Sequence, residues 1–263
     1  MPSSSIILCI LPIFYNSRLI CYLAKGDLMS DRIKTGIEGY DNLLGGGYIP
    51  ESINLIAGCS GSGKTLFTLS YLLNGAEKFG QKAVYITLEE TMSQIKRDCK
   101  TIGLDLDSVG EEMLALCDMS SLRANVISTQ DELESEESPL RLDNLFEFIK
   151  INYSDCVRVG LDSIVPLAIA YHDEQIFRSE LFRFMMALKK MGATTLFTTE
   201  ISYASDDISR FGMEDFLSDS VTLLKMTEEW GRQIKVHKMR GSDHVKNFVD
   251  YDISSNGLKV MYK

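Results

Sequence analysis

The sequence predicts an α/β fold, with a mostly parallel central sheet flanked by helices and a C-terminal antiparallel β extension. Three observations predict it. A glycine-rich loop, Gly58-Cys59-Ser60-Gly61-Ser62-Gly63-Lys64-Thr65, separates an apolar strand-like run from a helical one. Apolar β-rich segments then alternate with segments of helical periodicity as far as Glu200, as in strands joined by crossover helices. From Ser220 onward, short β-rich runs follow one another directly, which suits hairpins.

The loop fits the phosphate-binding pattern G-x-x-x-x-G-K-[ST]. Its glycines allow backbone turns at φ > 0 and bring N–H groups close to a polyphosphate. The run from Thr65 to Leu73 reads as a helix, whose N-terminus favours anions. Lys64 is placed to neutralise β- and γ-phosphates, and the Thr65 hydroxyl to ligate Mg²⁺. Gly58, Ser60, Gly61, Ser62, Gly63, Lys64, Thr65 and Leu66 form the expected nucleotide-binding set. The preceding run Ser52–Ala57 reads as a buried strand, a context that a chance glycine-rich turn lacks.

Composition narrows the class. The chain has 263 residues, 45% hydrophobic and 24% charged, as in ordinary globular proteins. A formal net charge of −10 argues against a nucleic-acid binder that works by overall charge. The six cysteines show no C-x-x-C spacing, and Cys59 lies inside the loop, so a reducing cytoplasm is expected rather than a disulfide framework. His172, His237 and His244 are not at metal-ligand spacing.

Taken in order, residues 1–28 are out of character. Their apolar run is broken by Pro12, Asn16 and Arg18, which fits neither a membrane span nor a secretory signal. We expect an apolar extension, with translation starting at Met29; Gly26-Asp27 can be encoded by GGTGAT, a ribosome-binding sequence. A single domain is expected over 31–263. Residues 31–50 read as a short strand, a helical turn and a glycine-rich bend leading into the first core strand.

Lys82–Leu88 is a second strand candidate, ending at Glu89-Glu90. These carboxylates suit either of two roles. They can orient and deprotonate a water attacking a γ-phosphate, or they can sit at the N-terminus of the next helix, Met92–Ile102, where acids complement the dipole. Met113–Cys117 is a third strand candidate. The acidic stretch 128–138 reads as a surface loop and Leu140–Tyr153 as a core-facing helix. Cys156–Ser163 is an apolar strand containing Asp162 near its end, the Walker B pattern, with Asp162 expected to hold Mg²⁺ through its water shell. Ile176–Met191 is an amphipathic helix, and Ala193–Thr199 a strand whose end, Thr198-Thr199-Glu200, is placed to sense the γ-phosphate. Ser220–Met226, Gln233–Lys238, Phe248–Ile253 and Leu258–Met261 make the β-rich tail. Within it, Lys238–Lys246 is the most basic stretch. It suits an exposed hairpin end, or cations reaching phosphates in the same or a neighbouring subunit.

Together these stretches resemble the KaiC family of RecA-like ATPases, from about Ile33 to the C-terminus. The motifs are Thr35–Asp41 and Gly45-Gly46-Gly47, Ser60–Phe67, Glu89-Glu90-Thr91, Val159–Ser163, Gly192–Thr195 with Thr198–Glu200, Arg210–Asp219, and Lys238-Met239-Arg240-Gly241-Ser242. The resemblance implies a RecA-like P-loop core, ATP with Mg²⁺ held by Thr65 and Asp162, and a hexameric ring with ATP between subunits. It implies Glu89 and Glu90 as catalytic glutamates beside Lys64, Thr198 and Thr199 as sensors, and Lys238, Arg240 and Lys246 acting on the neighbouring subunit's ATP. At the places where the cyanobacterial clock protein's second domain phosphorylates itself, this chain has Asp215 and Phe216, with Ser218 and Ser220 offset. An autokinase of that type is therefore not expected.

The expected function is a Mg²⁺-dependent, ring-forming ATPase acting as a nucleotide-switched regulator in the cytoplasm, with itself and an unidentified regulatory protein as partners and no membrane. Two alternatives stand beside it. One is a nucleotide-gated scaffold that docks partners through 128–138. The other is a recombination accessory factor resembling RadA paralogues, with DNA as partner, which the acidic charge disfavours.

Overall fold

The structure is a computed structural model describing residues 32–121, 140–171, 173–203, 207–227 and 231–262. The expectations for residues 1–28, Met29 and the acidic stretch 128–138 lie outside these residues. In chain order the elements are α1 (Tyr40–Leu43), β1 (Ile53–Gly58), α2 (Lys64–Phe79), β2 (Ala83–Thr87), α3 (Met92–Thr101) and β3 (Leu114–Asp118). There follow α4 (Leu142–Tyr153), β4 (Arg158–Asp162), α5 (Val165–Ala170), α6 (Glu174–Lys190), β5 (Thr194–Glu200) and α7 (Glu214–Leu217). The last four are β6 (Ser220–Thr227), β7 (Gly231–Met239), β8 (Val249–Ser254) and β9 (Gly257–Val260).

The strands form a nine-stranded sheet of order β3-β2-β4-β5-β1-β6-β7-β8-β9. The pairings from β3 through β6 are parallel, and those from β6 through β9 are antiparallel. Strands β1, β2 and β4 are buried throughout. This is why they read as unbroken apolar runs rather than alternating ones. Leu55, Ile86, Leu161 and Phe197 face one side of the sheet, against Ile149 of α4 and Leu181 and Phe184 of α6. Ile56, Tyr85 and Leu196 face the other, against Phe67, Tyr71 and Leu72 of α2 and Ile95 and Cys99 of α3.

Two features depart from the sequence expectation. Ser220–Thr227 is not merely the first strand of an antiparallel tail: it lies parallel to β1 and antiparallel to β7, so it belongs to both halves of the sheet. Helices α5 and α7, with six and four residues, are too short for periodicity to reveal them. A third feature was hidden in an apolar strand. Arg158 of β4 is fully buried. Its guanidinium donates to the carbonyls of Tyr71 and Lys34, each at 2.7 Å, and to Gln81 Oε1 at 2.8 Å. A Cβ on Gly75 would fall 2.3 Å from Arg158 Nε, so the neighbouring turn of α2 requires glycine there.

The parallel register brings the functional strand ends to one edge. Gly58 is level with Glu200, and Thr87 with Asp162. Crevices beyond the carboxyl ends of parallel strands are where α/β sheets take ligands.

Candidate active site

The loop after β1 turns on two left-handed glycines, Gly61 at φ 76° and Gly63 at φ 90°. It is packed too closely for side chains. A Cβ on Gly58 would lie 2.5 Å from Ser62 Oγ, and one on Gly63 would lie 2.4 Å from Ile253 Cδ1. Ser62 Oγ donates to the Cys59 carbonyl at 2.7 Å, and the Lys64 ammonium donates to the Gly58 and Cys59 carbonyls, each at 3.0 Å. Lys64 and Thr65 open α2, a sixteen-residue helix long enough to carry a full dipole.

The carboxylates converge from two neighbouring strands. Asp162 ends β4 and is 7% exposed. Its Oδ1 accepts from Thr198 Oγ1 at 2.5 Å and its Oδ2 from the Tyr85 hydroxyl at 2.8 Å. The Asp162–Ser163 peptide is cis. Ser163 Oγ donates to Glu89 Oε1 at 2.5 Å. The Thr87 hydroxyl accepts from the Glu90 amide at 3.2 Å, closing the turn that carries both glutamates. Burial raises the Glu90 pKa above the ordinary glutamate value. The charges of Asp162, Asp98 and Glu89 add to this, while Lys64 opposes it.

The structure supplies other groups for the start of α3. Thr91 and Gln94 form its capping box, and Asp118 Oδ2 accepts from the Met92 amide at 2.8 Å. Glu89 and Glu90 instead line a cavity of about 520 Å³. The same cavity is bounded by Ser60, Gly61, Gly63, Lys64, Thr65 and Leu66 of the loop, and by Asp162 and Ser163. Ile95, Cys99 and Ile102 give it an apolar wall, and Arg232 and Ile253 approach from the C-terminal strands.

The family model of the KaiC ATPases matches residues 33–263. The chain belongs to the KaiC ATPase family. It is 31% identical over 236 residues to the circadian clock oscillator protein KaiC of Synechococcus elongatus, covering 87% of this chain and 44% of the relative. For the KaiC of Prochlorococcus marinus strain MIT 9313 the identity is 32% over 237 residues, covering 87% and 46%. For that of Parathermosynechococcus lividus it is 33% over 232 residues, covering 86% and 42%. The chain thus spans less than half the length of these curated relatives. In family terms it is a nucleotide-binding ATPase domain with a RecA-like core.

Other expected site residues of this KaiC-family domain lie outside the cavity wall. Thr198 and Thr199 are fully buried. Thr198 points at Asp162, whereas Thr199 Oγ1 donates to Glu214 Oε1 at 3.2 Å. Lys238 Nζ donates to the Asp215 carbonyl at 2.7 Å, and Arg240 donates to the Phe216 carbonyl at 2.7 Å. Lys246 is exposed. None of these three cations borders the cavity of its own chain.

Sequence reasoning missed the contribution of the tail to the loop. Tyr251 of β8 donates to the Ser62 carbonyl at 2.5 Å, and Ile253 covers Gly63. Arg232 borders the cavity with a buried Nε that has no hydrogen-bond partner among the described residues. Only the alternation of strand residues hinted that Tyr251 and Ile253 share a face.

This KaiC-family site fits ATP and Mg²⁺ on its own chemistry. The glycines leave space where side chains would stand, and Lys64 and the Arg232 Nε offer donors to phosphate oxygens. Among the described residues no three His, Cys, Asp or Glu side chains form a metal cage. Thr65 and Asp162 offer a sparse oxygen set of the kind that would suit a hydrated Mg²⁺ shared with phosphates. No helix among the described residues is long and apolar enough to cross a membrane.

Proposed function

We propose that this KaiC-family domain, taken as a single unit over 31–263, hydrolyses ATP to ADP and phosphate with Mg²⁺ and works as a ring-forming, nucleotide-switched regulator. One observation carries this reading: Lys64, Thr65, Asp162, Glu89 and Glu90 meet around a single cavity at the carboxyl ends of parallel strands. Bound Mg²⁺ would be held by Thr65 and Asp162, and supplies positive charge against the phosphates.

The remaining chemistry belongs to the chain. Loop amides and Lys64 hold the phosphates in position, with Lys64 exchanging its loop carbonyls for phosphate oxygens. Glu89, anchored by Ser163, orients the attacking water. Glu90 accepts the water's proton, and its raised pKa makes it a stronger base than an ordinary glutamate. The apolar wall of Ile95 and Ile102 suits the base of the nucleotide.

Lys238, Arg240 and Lys246 serve the ATP of the neighbouring subunit in a homohexamer. Their position outside their own chain's cavity supports this role. Ser218 is buried and donates to the Glu214 carbonyl at 2.7 Å, and Ser220 is buried and donates to Asn54 Oδ1 at 2.7 Å. Both are poor phosphate acceptors, which favours hydrolysis over self-phosphorylation. The relatives are clock oscillator proteins by name, which supports a switching role and a regulatory protein partner. Free cysteines at 59, 99, 117 and 156 suit the cytoplasm.

The test combines ATPase assay with sizing by light scattering. ATP should drive wild type into a ring. Glu89→Gln/Glu90→Gln should hold that ring without turnover, and Arg240→Ala should assemble without turning over. A monomer that hydrolyses ATP equally well without Arg240 would remove the shared site.

A further inference from the structure

Four tyrosines of the described core, Tyr40, Tyr48, Tyr71 and Tyr85, are fully buried. Three spend their hydroxyls on structure. Tyr40 bonds to Tyr48 and Thr222, and Tyr71 donates to the Thr194 carbonyl. Tyr85 differs, because its hydroxyl meets the Asp162 carboxylate at 2.8 Å.

The backbone prepares this contact. Tyr85 lies opposite Gly160 in the β2–β4 pairing, two residues short of Asp162. A Cβ on Gly160 would fall 2.7 Å from Leu72 Cδ1, 2.8 Å from Thr68 Cγ2 and 3.4 Å from the Tyr85 ring. The missing side chain lets α2 and the phenol settle over β4, and the ring then runs along the strand to its end. From the other side, β5 brings Thr198 Oγ1 to within 2.5 Å of Asp162 Oδ1. A carboxylate has about four acceptor directions. Two are filled from inside the protein, one on each oxygen, which fixes the carboxylate plane and leaves one direction on each oxygen for the cavity side.

We infer that Tyr85 is a positioning residue for magnesium: it holds the Asp162 carboxylate in a fixed plane, so that it meets the metal's water shell without reorganising. Partners that orient a metal-binding carboxylate from behind raise metal affinity in this way. Tyr85 has this role only if Asp162 serves magnesium, the reading proposed above.

The test is the affinity of a non-hydrolysable ATP analogue in Mg²⁺ and in EDTA, together with Mn²⁺ binding followed by electron paramagnetic resonance. Tyr85→Phe keeps the ring over Gly160 and removes only the hydroxyl. It should lower the Mg²⁺-dependent gain in affinity by roughly tenfold and leave the EDTA affinity unchanged. In an Asp162→Asn background the same change should do nothing. Reading all four proteins of this cycle below their melting temperatures keeps the answer independent of any loss of stability.

A Tyr85→Phe protein with the wild-type Mg²⁺ gain, or with equal losses in Mg²⁺ and EDTA, overturns the inference. If wild type shows no Mg²⁺ gain, or Asp162→Asn keeps it, the magnesium reading itself fails, and Tyr85 with it.

Discussion

Two carboxylates stand behind the same strand end, served by adjacent threonines, and have opposite fates. Thr198 and Thr199 point to opposite faces of β5, as strand neighbours must. On the α2 face, Thr198 reaches Asp162, which is 7% exposed, borders the cavity and keeps acceptor capacity on both oxygens. On the other face, Thr199 reaches Glu214, which is 0% exposed. Glu214 also takes the amides of Arg210 at 2.7 Å and of Phe211 and Met213 at 3.2 Å. Its acceptor capacity is spent on the backbone. A buried acid whose donors leave a side open can still serve a ligand, whereas one whose donors close it serves the backbone.

The comparison breaks most sharply at Asp162 itself. Asp162→Asn should lower ATP turnover by on the order of 100-fold, since charge stabilisation at the phosphates is lost. The melting temperature should hardly move, because both hydroxyl partners can still bond an amide. Steady-state hydrolysis and calorimetry check the pair of outcomes.

Glu214→Gln should do the reverse. The new NH₂ faces backbone donors, and charge-assisted bonds are lost, at a cost of about 3 kcal/mol in denaturant unfolding. The surviving folded protein should keep its wild-type Mg²⁺ dependence. A Glu214 variant of normal stability would mean that the backbone bonds contribute little.

The threonines sharpen the contrast at smaller scale. Thr199→Val should cost about 1 kcal/mol of stability and leave Mg²⁺ dependence alone. Thr198→Val should weaken Mg²⁺-dependent nucleotide affinity several-fold, roughly as for an outer partner of a metal ligand. Equal behaviour of the two variants would erase the distinction between the faces.

The smallest expected effect is in pH. Glu90 must be ionised to accept a proton, and its pKa is raised first by burial and then by neighbouring carboxylates. Turnover should therefore fall as pH drops through a value above that of an ordinary glutamate. Saturating Mg²⁺ adds local positive charge and should pull this limb down. An acid limb at the ordinary glutamate value would contradict Glu90 as the base.

Much of this was legible in the sequence for physical reasons. The phosphate loop is a local object whose backbone needs glycine, so Gly58–Thr65 announced itself. Buried parallel strands read as apolar runs, so β1, β2, β4 and β5 were found close to their observed ends. The roles of Glu89 and Glu90 stayed open on spacing alone, because an acid before a helix suits its dipole equally well. Thr91, Gln94 and Asp118 serve the start of α3 instead, and Asp118 lies on β3, beside β2 in the sheet but 26 residues further along the chain. Tyr85, Tyr251, Ile253 and Arg158 were illegible because their partners are set by strand order. An aromatic residue in an apolar strand reads as core until the neighbour opposite it is known to be Gly160, with Asp162 two residues on.

The most direct test of the ATPase claim is hydrolysis of ATP by the full chain, with Mg²⁺ or EDTA, for wild type and Glu89→Gln/Glu90→Gln. The site described above predicts turnover by wild type in Mg²⁺ only, and a double variant that binds ATP as tightly as wild type without hydrolysing it. Hydrolysis by the double variant at the wild-type rate would contradict it.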